Sequence, residues 1–120
     1  MTEKIPYSEI TLLRDNSPDL KFTGRLLAQV SSRLNDSDKV ASYYSRWTVL
    51  ELYEAKPLPL LPISTWVCYS EGRSSYPGEY TRKAGEVAKN MEEIKNYFGY
   101  GWLAKKLYDE AGIDYSVKVR

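Results

Sequence analysis

The chain has 120 residues, the length of one ordinary domain, and 42% of them are hydrophobic, which argues against a disordered chain. Its 17 basic and 16 acidic residues leave a formal net charge of +1, so we expect no general binding to nucleic acid, which needs a clear basic excess. The chain has no histidine and one cysteine, Cys68, which excludes histidine-based triads, intrachain disulfides and thiolate metal clusters.

These totals predict a single ligand-binding domain over residues 1–120, with no catalysis, no cofactor and no metal. The first residues lack the basic start and apolar run of a signal peptide, and no apolar stretch approaches the length of a membrane span. We therefore expect no membrane contact and a location in a reducing cytoplasm.

The first half of the chain is predicted to form strands. We predict a short strand over residues 9–14 and longer strands over residues 21–33, 46–55 and 63–72, where β-branched and aromatic residues are common. In the strand over residues 21–33, the even-numbered residues from Phe22 to Val30 are apolar or small and are predicted to share one face. Gly24 within it indicates a bulge or a close approach of two backbones.

The last third of the chain is predicted to form two helices, over residues 80–97 and 102–111, the second stopped by Gly112. Apolar residues recur at helical spacing in the first: Ala84, Val87, Ala88, Met91, Ile94 and Phe98. Residues 114–120 could add a last short strand or lie across a neighbour. The order of elements predicts an α+β fold, a small antiparallel sheet of about three to five strands followed by two C-terminal helices.

The candidate binding groups lie around the start of the predicted first helix. Tyr76 and Tyr80 carry rings that can stack on a purine. Asn90 borders the apolar stripe, and its amide can read a base edge with donor and acceptor together. The planar guanidinium of arginine suits two-point contacts to phosphate, although for each arginine alone a solvent-facing side chain on a strand edge is the favoured interpretation. Four of them lie on or beside the predicted strands and in the loop before the helix: Arg25, Arg46, Arg73 and Arg82.

The layout of the elements and the ten-residue spacing of Tyr80 and Asn90 resemble the first-described type of phage anti-Thoeris protein. Members of that family are sponges that bind cyclic ADP-ribose signals made by a host immune enzyme and hold them uncleaved. Some also bind cyclic di- or trinucleotides at a second site. The resemblance implies that Tyr80 stacks on the base, Asn90 reads its edge, and Arg73 or Arg82 meets the phosphates. Arg120 would stand for the arginine that the family carries late in the chain.

The resemblance also implies an anti-defense role in the host cytoplasm and a homo-oligomer, from dimer to hexamer. Three other functions stay open. The 11 tyrosines and 3 tryptophans fit a protein–protein inhibitor or regulatory module that acts on a host complex. A nucleic-acid-binding accessory protein is disfavoured by the near-neutral charge. An enzyme would have to work through carboxylates, tyrosines or lysines alone.

Overall fold

The computed structural model describes residues 5–33, 45–60 and 63–119. Within them the chain forms five strands, β1 (Ser8–Leu12), β2 (Leu20–Ser31), β3 (Arg46–Ala55), β4 (Thr65–Ser74) and β5 (Arg82–Ala88), followed by two helices, α1 (Met91–Phe98) and α2 (Trp102–Ala111). Each strand pairs antiparallel with the next along the chain. The predicted α+β fold, with a small antiparallel sheet and two C-terminal helices, is confirmed.

Both helices pack against one face of the sheet. α2 lies on β2 and β3, and α1 lies on β4 and β5. The core between them is apolar and consists of Ala28, Val30, Leu50, Leu52, Cys68 and Ala88 from the sheet and Ile94, Leu103, Ala104, Leu107 and Tyr108 from the helices. The hydroxyl of the buried Tyr108 donates to the carbonyl oxygen of Gly99 at 2.7 Å, which ties the helix–helix turn to the core.

A β-bulge divides β2 into two halves that bury opposite faces. Leu26 is paired with Tyr53, and Ala28 is paired with the adjacent residue Leu52. Because successive strand residues point to opposite sides, Ala28 faces the helices and Leu26 faces away from them. The prediction that the even-numbered residues from Phe22 to Val30 share one face is therefore wrong. An extra residue in the strand reverses the alternation.

The half of β2 before the bulge forms a second, smaller core with β1 on the sheet face away from the helices. Its buried residues are Leu12, Val67 and Tyr69, with Ile10, Leu20, Phe22 and Tyr53 packed around them. The turn after β1 reaches the outer edge of β5, where the Asp15 N–H donates to the Lys83 carbonyl at 3.0 Å. The Lys83 N–H in turn donates to the Asp15 carboxylate at 2.8 Å, so part of this edge is paired.

Gly24 marks a close backbone approach, as its position in the strand predicted. An added Cβ would lie 2.5 Å from the Glu54 carbonyl oxygen and 2.7 Å from the Phe22 ring.

The strand predicted over 46–55 and the helix predicted over 102–111 are confirmed at both ends. Residues 113–119 form neither helix nor strand, so the predicted last strand is not seen in the described part of the tail. No helix within the described ranges has the length and apolar character needed to cross a membrane.

The predicted helix over residues 80–97 is wrong in its first half. Residues 82–88 form β5, which pairs with β4 from Trp66↔Ala88 to Gly72↔Arg82, and α1 begins only at Met91. Ala84, Val87 and Ala88 have a spacing that fits a helix, and hydrogen bonding to a neighbouring strand overrides that local preference.

Cys68 is fully buried between β4 and the helices, as expected for a core thiol. Burial raises the pKa of this thiol to about 12, and the negative charges of Glu86 and Glu93 raise it further. At neutral pH the native protein should therefore give no reaction with a colorimetric thiol reagent, and one thiol per chain should react after unfolding in guanidinium. Stoichiometric reaction of the native protein would show that the sheet–helix packing opens there.

Candidate functional site

The helices leave one end of their own sheet face uncovered. At that end the register places Arg46 opposite Ser74, and Thr48 opposite Gly72, which is paired in turn with Arg82. Residues opposite one another in an antiparallel pair point to the same side, so these side chains lie on the helix-covered face. All five are exposed or half-buried. We call this uncovered end of β3, β4 and β5 the open strip.

A cavity of about 350 Å³ lies at the open strip. Its lining comes from the ends of β3, β4 and β5 and from the β4–β5 connection: Arg46, Gly72, Arg73, Ser74, Gly78, Glu79, Tyr80 and Arg82. A second cavity of about 480 Å³ adjoins it and shares Gly72, Tyr80 and Arg82 with it. The second cavity extends along the strip to Thr48, Ser70 and Ala84. Both volumes fall in the range of small-molecule sites.

Arg46 is fixed in the first cavity by two neighbours. Its Nε and Nη2 donate to the two carboxylate oxygens of Glu79 at 3.1 and 2.6 Å, a two-point contact. Its guanidinium carbon lies 4.3 Å from the centre of the Tyr76 ring, a cation–π contact. The hydrogen bond from Arg46, followed by one from Ser74, lowers the pKa of Glu79 to about 2. Glu79 is therefore a carboxylate at any pH near neutrality.

The position of the Arg82 guanidinium depends on the absence of a side chain at Gly72. A Cβ added there would lie 3.1 Å from Arg82 Nη2 and 3.2 Å from Nε, so the guanidinium lies over bare backbone. No carboxylate of the residues that the structure describes is within ion-pair distance of Arg82. Its positive charge also lowers the pKa of Glu79, after the larger effects of the hydrogen bonds from Arg46 and Ser74.

Besides Arg46, three of the predicted binding residues border this cavity, and they differ in the groups that they present to it. Tyr80 is 77% exposed and presents its ring to the solvent. Arg82 directs its guanidinium over the strip. Arg73 alternates with Gly72 and Ser74, so its side chain points to the opposite face, where it donates to Glu71 at 2.8 and 2.5 Å. The guanidinium of Arg73 is thus engaged elsewhere.

Asn90 lies at the other end of β5. The seven residues of that strand separate it from Tyr80, roughly 20 Å or more at the rise of an extended strand. Its side-chain oxygen accepts from the Glu93 N–H at 2.8 Å, and the Glu93 carboxylate accepts from the Lys89 N–H at 2.7 Å. Asn90 is the N-cap of α1, and the structure does not bring it together with Tyr80. Arg120 lies outside the described residues.

Arg46, Gly72 and Glu79 are site residues that the sequence did not single out as a group. Arg46 was one of four candidate arginines, and nothing in the sequence ranks it above Arg73. Gly72 ends a predicted strand, and a glycine in a strand can signal close approach of another group. That signal exists in the sequence, but the sequence does not show that Arg82 fills the space.

Comparison of the chain with family models, with curated proteins and with solved structures finds no match. The resemblance to the anti-Thoeris family therefore stays a prediction, and a function has to be argued from the site.

Replacing Asn90 should affect stability and leave the cavity unchanged. Asn90→Ala removes the cap of α1 and should lower the free energy of unfolding by about 1 kcal/mol, whereas Asn90→Asp keeps an accepting oxygen and should cost much less. Denaturant unfolding followed by circular dichroism measures both. If Asn90→Ala were as stable as the wild type, the capping role would be wrong.

Proposed function

We propose that the protein binds a cyclic nucleotide second messenger at the open strip and holds it uncleaved in the cytoplasm of the host cell. The ligand class comprises cyclic ADP-ribose isomers and cyclic di- or trinucleotides. The observation that carries the proposal is one cavity with two guanidinium groups, those of Arg46 and Arg82, beside the exposed ring of Tyr80. The role would be that of an anti-defense sponge.

Charge supports an anionic ligand. Arg46 and Arg82 bring two positive charges to the cavity and Glu79 brings one negative charge, so the side chains directed into it leave an excess of one positive charge. Arginine presents a planar fork that matches the oxygen geometry of phosphate. The uncompensated fork of Arg82 is the group most available to a phosphate that enters the strip.

Shape and polarity support a nucleotide. Tyr80 offers a ring on which a base can stack, and such stacking contributes about 1–3 kcal/mol per base in other proteins. The adjoining cavity is lined by Thr48, Ser70 and Asn16, whose hydroxyls and amide can both donate and accept. No part of the chain that the structure describes covers the outer side of the strip, and a second copy of the chain laid across it would complete a deep pocket. A homo-oligomer is part of the proposal for this reason, and the resemblance implies a range from dimer to hexamer.

The groups in the cavity are suited to holding charge and poorly suited to moving protons. Arginine stays protonated in proteins, and a carboxylate with a pKa of about 2 is a weak base. The chain has no histidine. Binding without turnover is therefore the activity that these groups support best.

A second candidate function is inhibition of a protein complex. Tyr100 and Trp102 lie together at the turn between α1 and α2 and are 56% and 66% exposed, although aromatic residues of this size are usually buried or at interfaces. A partner protein of the host could cover them. This function makes no use of the open strip.

Retention of an intact ligand tests the proposal. The purified protein is incubated with a cyclic ADP-ribose isomer or a cyclic di- or trinucleotide, freed of unbound ligand by filtration and heated, and the released compounds are analysed by mass spectrometry. We expect intact ligand from the wild type and a loss of affinity of about tenfold or more in Arg82→Ala and Tyr80→Ala. Arg73→Ala is the matched control, because that guanidinium points to the opposite face.

Each other outcome points to a different function. A cleaved product in the filtrate would make the protein an enzyme. Retention of no nucleotide would reject the sponge and favour the inhibitor, which a pull-down with Trp102→Ala as the control variant would then examine. Equal losses in Arg73→Ala and Arg82→Ala would mean that binding follows net charge and not this cavity.

A further inference from the structure

The carboxylate of Glu79 occupies the position that a phosphate would take on Arg46. It accepts from Nε and Nη2 of the same guanidinium at 3.1 and 2.6 Å, and these are the donors that arginine offers to phosphate in a two-point contact. A ligand cannot use this fork while Glu79 holds it. Of the two guanidinium groups directed into the cavity, that of Arg82 has no carboxylate partner among the described residues.

Besides Glu79, the Tyr76 ring and the strand also hold Arg46 in place. The ring of Tyr76 lies 4.3 Å below the guanidinium, and Arg46 is held in the strand by its pairing with Ser74. Removing the carboxylate would leave the fork facing the cavity. The Nε and Nη2 donors of Arg46 are therefore already positioned for an anion that replaces the Glu79 carboxylate.

Glu79 can leave without disturbing the sheet. It belongs to the β4–β5 connection, its side chain is 37% exposed, and its backbone N–H makes a long contact of 3.3 Å with the Tyr76 carbonyl. The preceding Gly78 has a φ of 82° and nothing within 4 Å of an added Cβ, so the turn is open to the solvent at that point. Rotation of the Glu79 side chain is enough to free Arg46, but it breaks the two-point contact and the hydrogen bond from Ser74, so a ligand must replace these contacts with its own.

We propose that Glu79 is a built-in competitor at the anion site, displaced only by a ligand that brings two neighbouring phosphate groups, one for Arg82 and one for Arg46. This inference rests on the proposed function and narrows its ligand class to nucleotides that contain a diphosphate linkage, as cyclic ADP-ribose isomers do. A ligand with one phosphate binds Arg82 alone and leaves Glu79 in place. A ligand that carries a carboxylate would not displace Glu79 from Arg46, because Glu79 offers the same group and is already tethered beside it.

The test is a calorimetric titration of the full chain with pyrophosphate and with inorganic phosphate at low ionic strength, where screening is weakest. The wild type should bind pyrophosphate more tightly than phosphate. Glu79→Gln keeps the size of the side chain, removes the competing charge, and should bind pyrophosphate about tenfold more tightly than the wild type. In an Arg46→Ala background, Glu79→Gln should change the affinity for pyrophosphate by only about twofold, because the guanidinium for which Glu79 competes is absent.

Glu54→Gln is the matched control. Glu54 also accepts from an arginine, Arg25 Nε at 2.7 Å, but it lies near the opposite end of β3, so its substitution removes a paired carboxylate without touching the cavity and should leave pyrophosphate binding unchanged. Thermal melts of each variant show that it is folded.

The outcomes separate the inference from the proposed function. If the wild type binds pyrophosphate and Glu79→Gln binds it no more tightly, the competitor role is wrong while the anion site stands. An equal gain in the Arg46→Ala background would show that Glu79 acts through general charge, which also overturns the inference. If neither protein binds pyrophosphate or any cyclic nucleotide, both the inference and the proposed function fail.

Discussion

The pairing of β5 with β4 is the interaction on which the rest of the structure depends. It adds a fifth strand to the sheet, sets Arg82 directly opposite Gly72, and carries the chain back toward the other end of the sheet before α1 begins. α1 therefore covers the end of β4 and β5 near Ala88, and the end near Arg82 stays open. Both the candidate site and its open side follow from this one ladder of hydrogen bonds.

The bulge in β2 allows both faces of the sheet to be covered. Two helices can cover only one face, so the other face needs its own covering. By reversing the alternation between Leu26 and Ala28, the bulge lets one strand contribute to the helix-side core and to the smaller core of Leu12, Val67 and Tyr69. The turn after β1 then pairs with the outer edge of β5, which keeps that edge from presenting a full row of free backbone groups.

The parts of the fold that local sequence determines could be predicted. β3 is rich in β-branched and aromatic residues and α2 is followed by Gly112, so the bounds of both could be predicted. β5 could not be predicted in the same way, because its spacing of alanines and Val87 fits a helix and only pairing with β4 decides between the two. The start of α1 did carry a usable signal. Asn90 followed three residues later by Glu93, before an apolar period, is the pattern of a helix N-terminus.

The candidate site could be predicted only in part, because it depends on register and on which face each strand presents. The sequence indicates that arginines and a tyrosine lie near the β4–β5 connection, and the structure places Tyr80 and Arg82 there. The sequence cannot show that Arg73 faces away while Arg46, far from it along the chain, faces in. Asn90 lies far from Tyr80 because ten residues span about 15 Å in a helix and roughly twice that in an extended strand.

The claim that Arg46 and Arg82 form one anion site is tested most directly by nuclear magnetic resonance of the arginine side chains. The Nε–H signals of the isotopically labelled protein are followed while a cyclic ADP-ribose isomer is added. The account predicts that the signals of Arg46 and Arg82 move together and saturate with one affinity, while those of Arg25 and Arg73 stay in place. Movement of all four signals in proportion to ligand concentration, or of neither Arg46 nor Arg82, would contradict it.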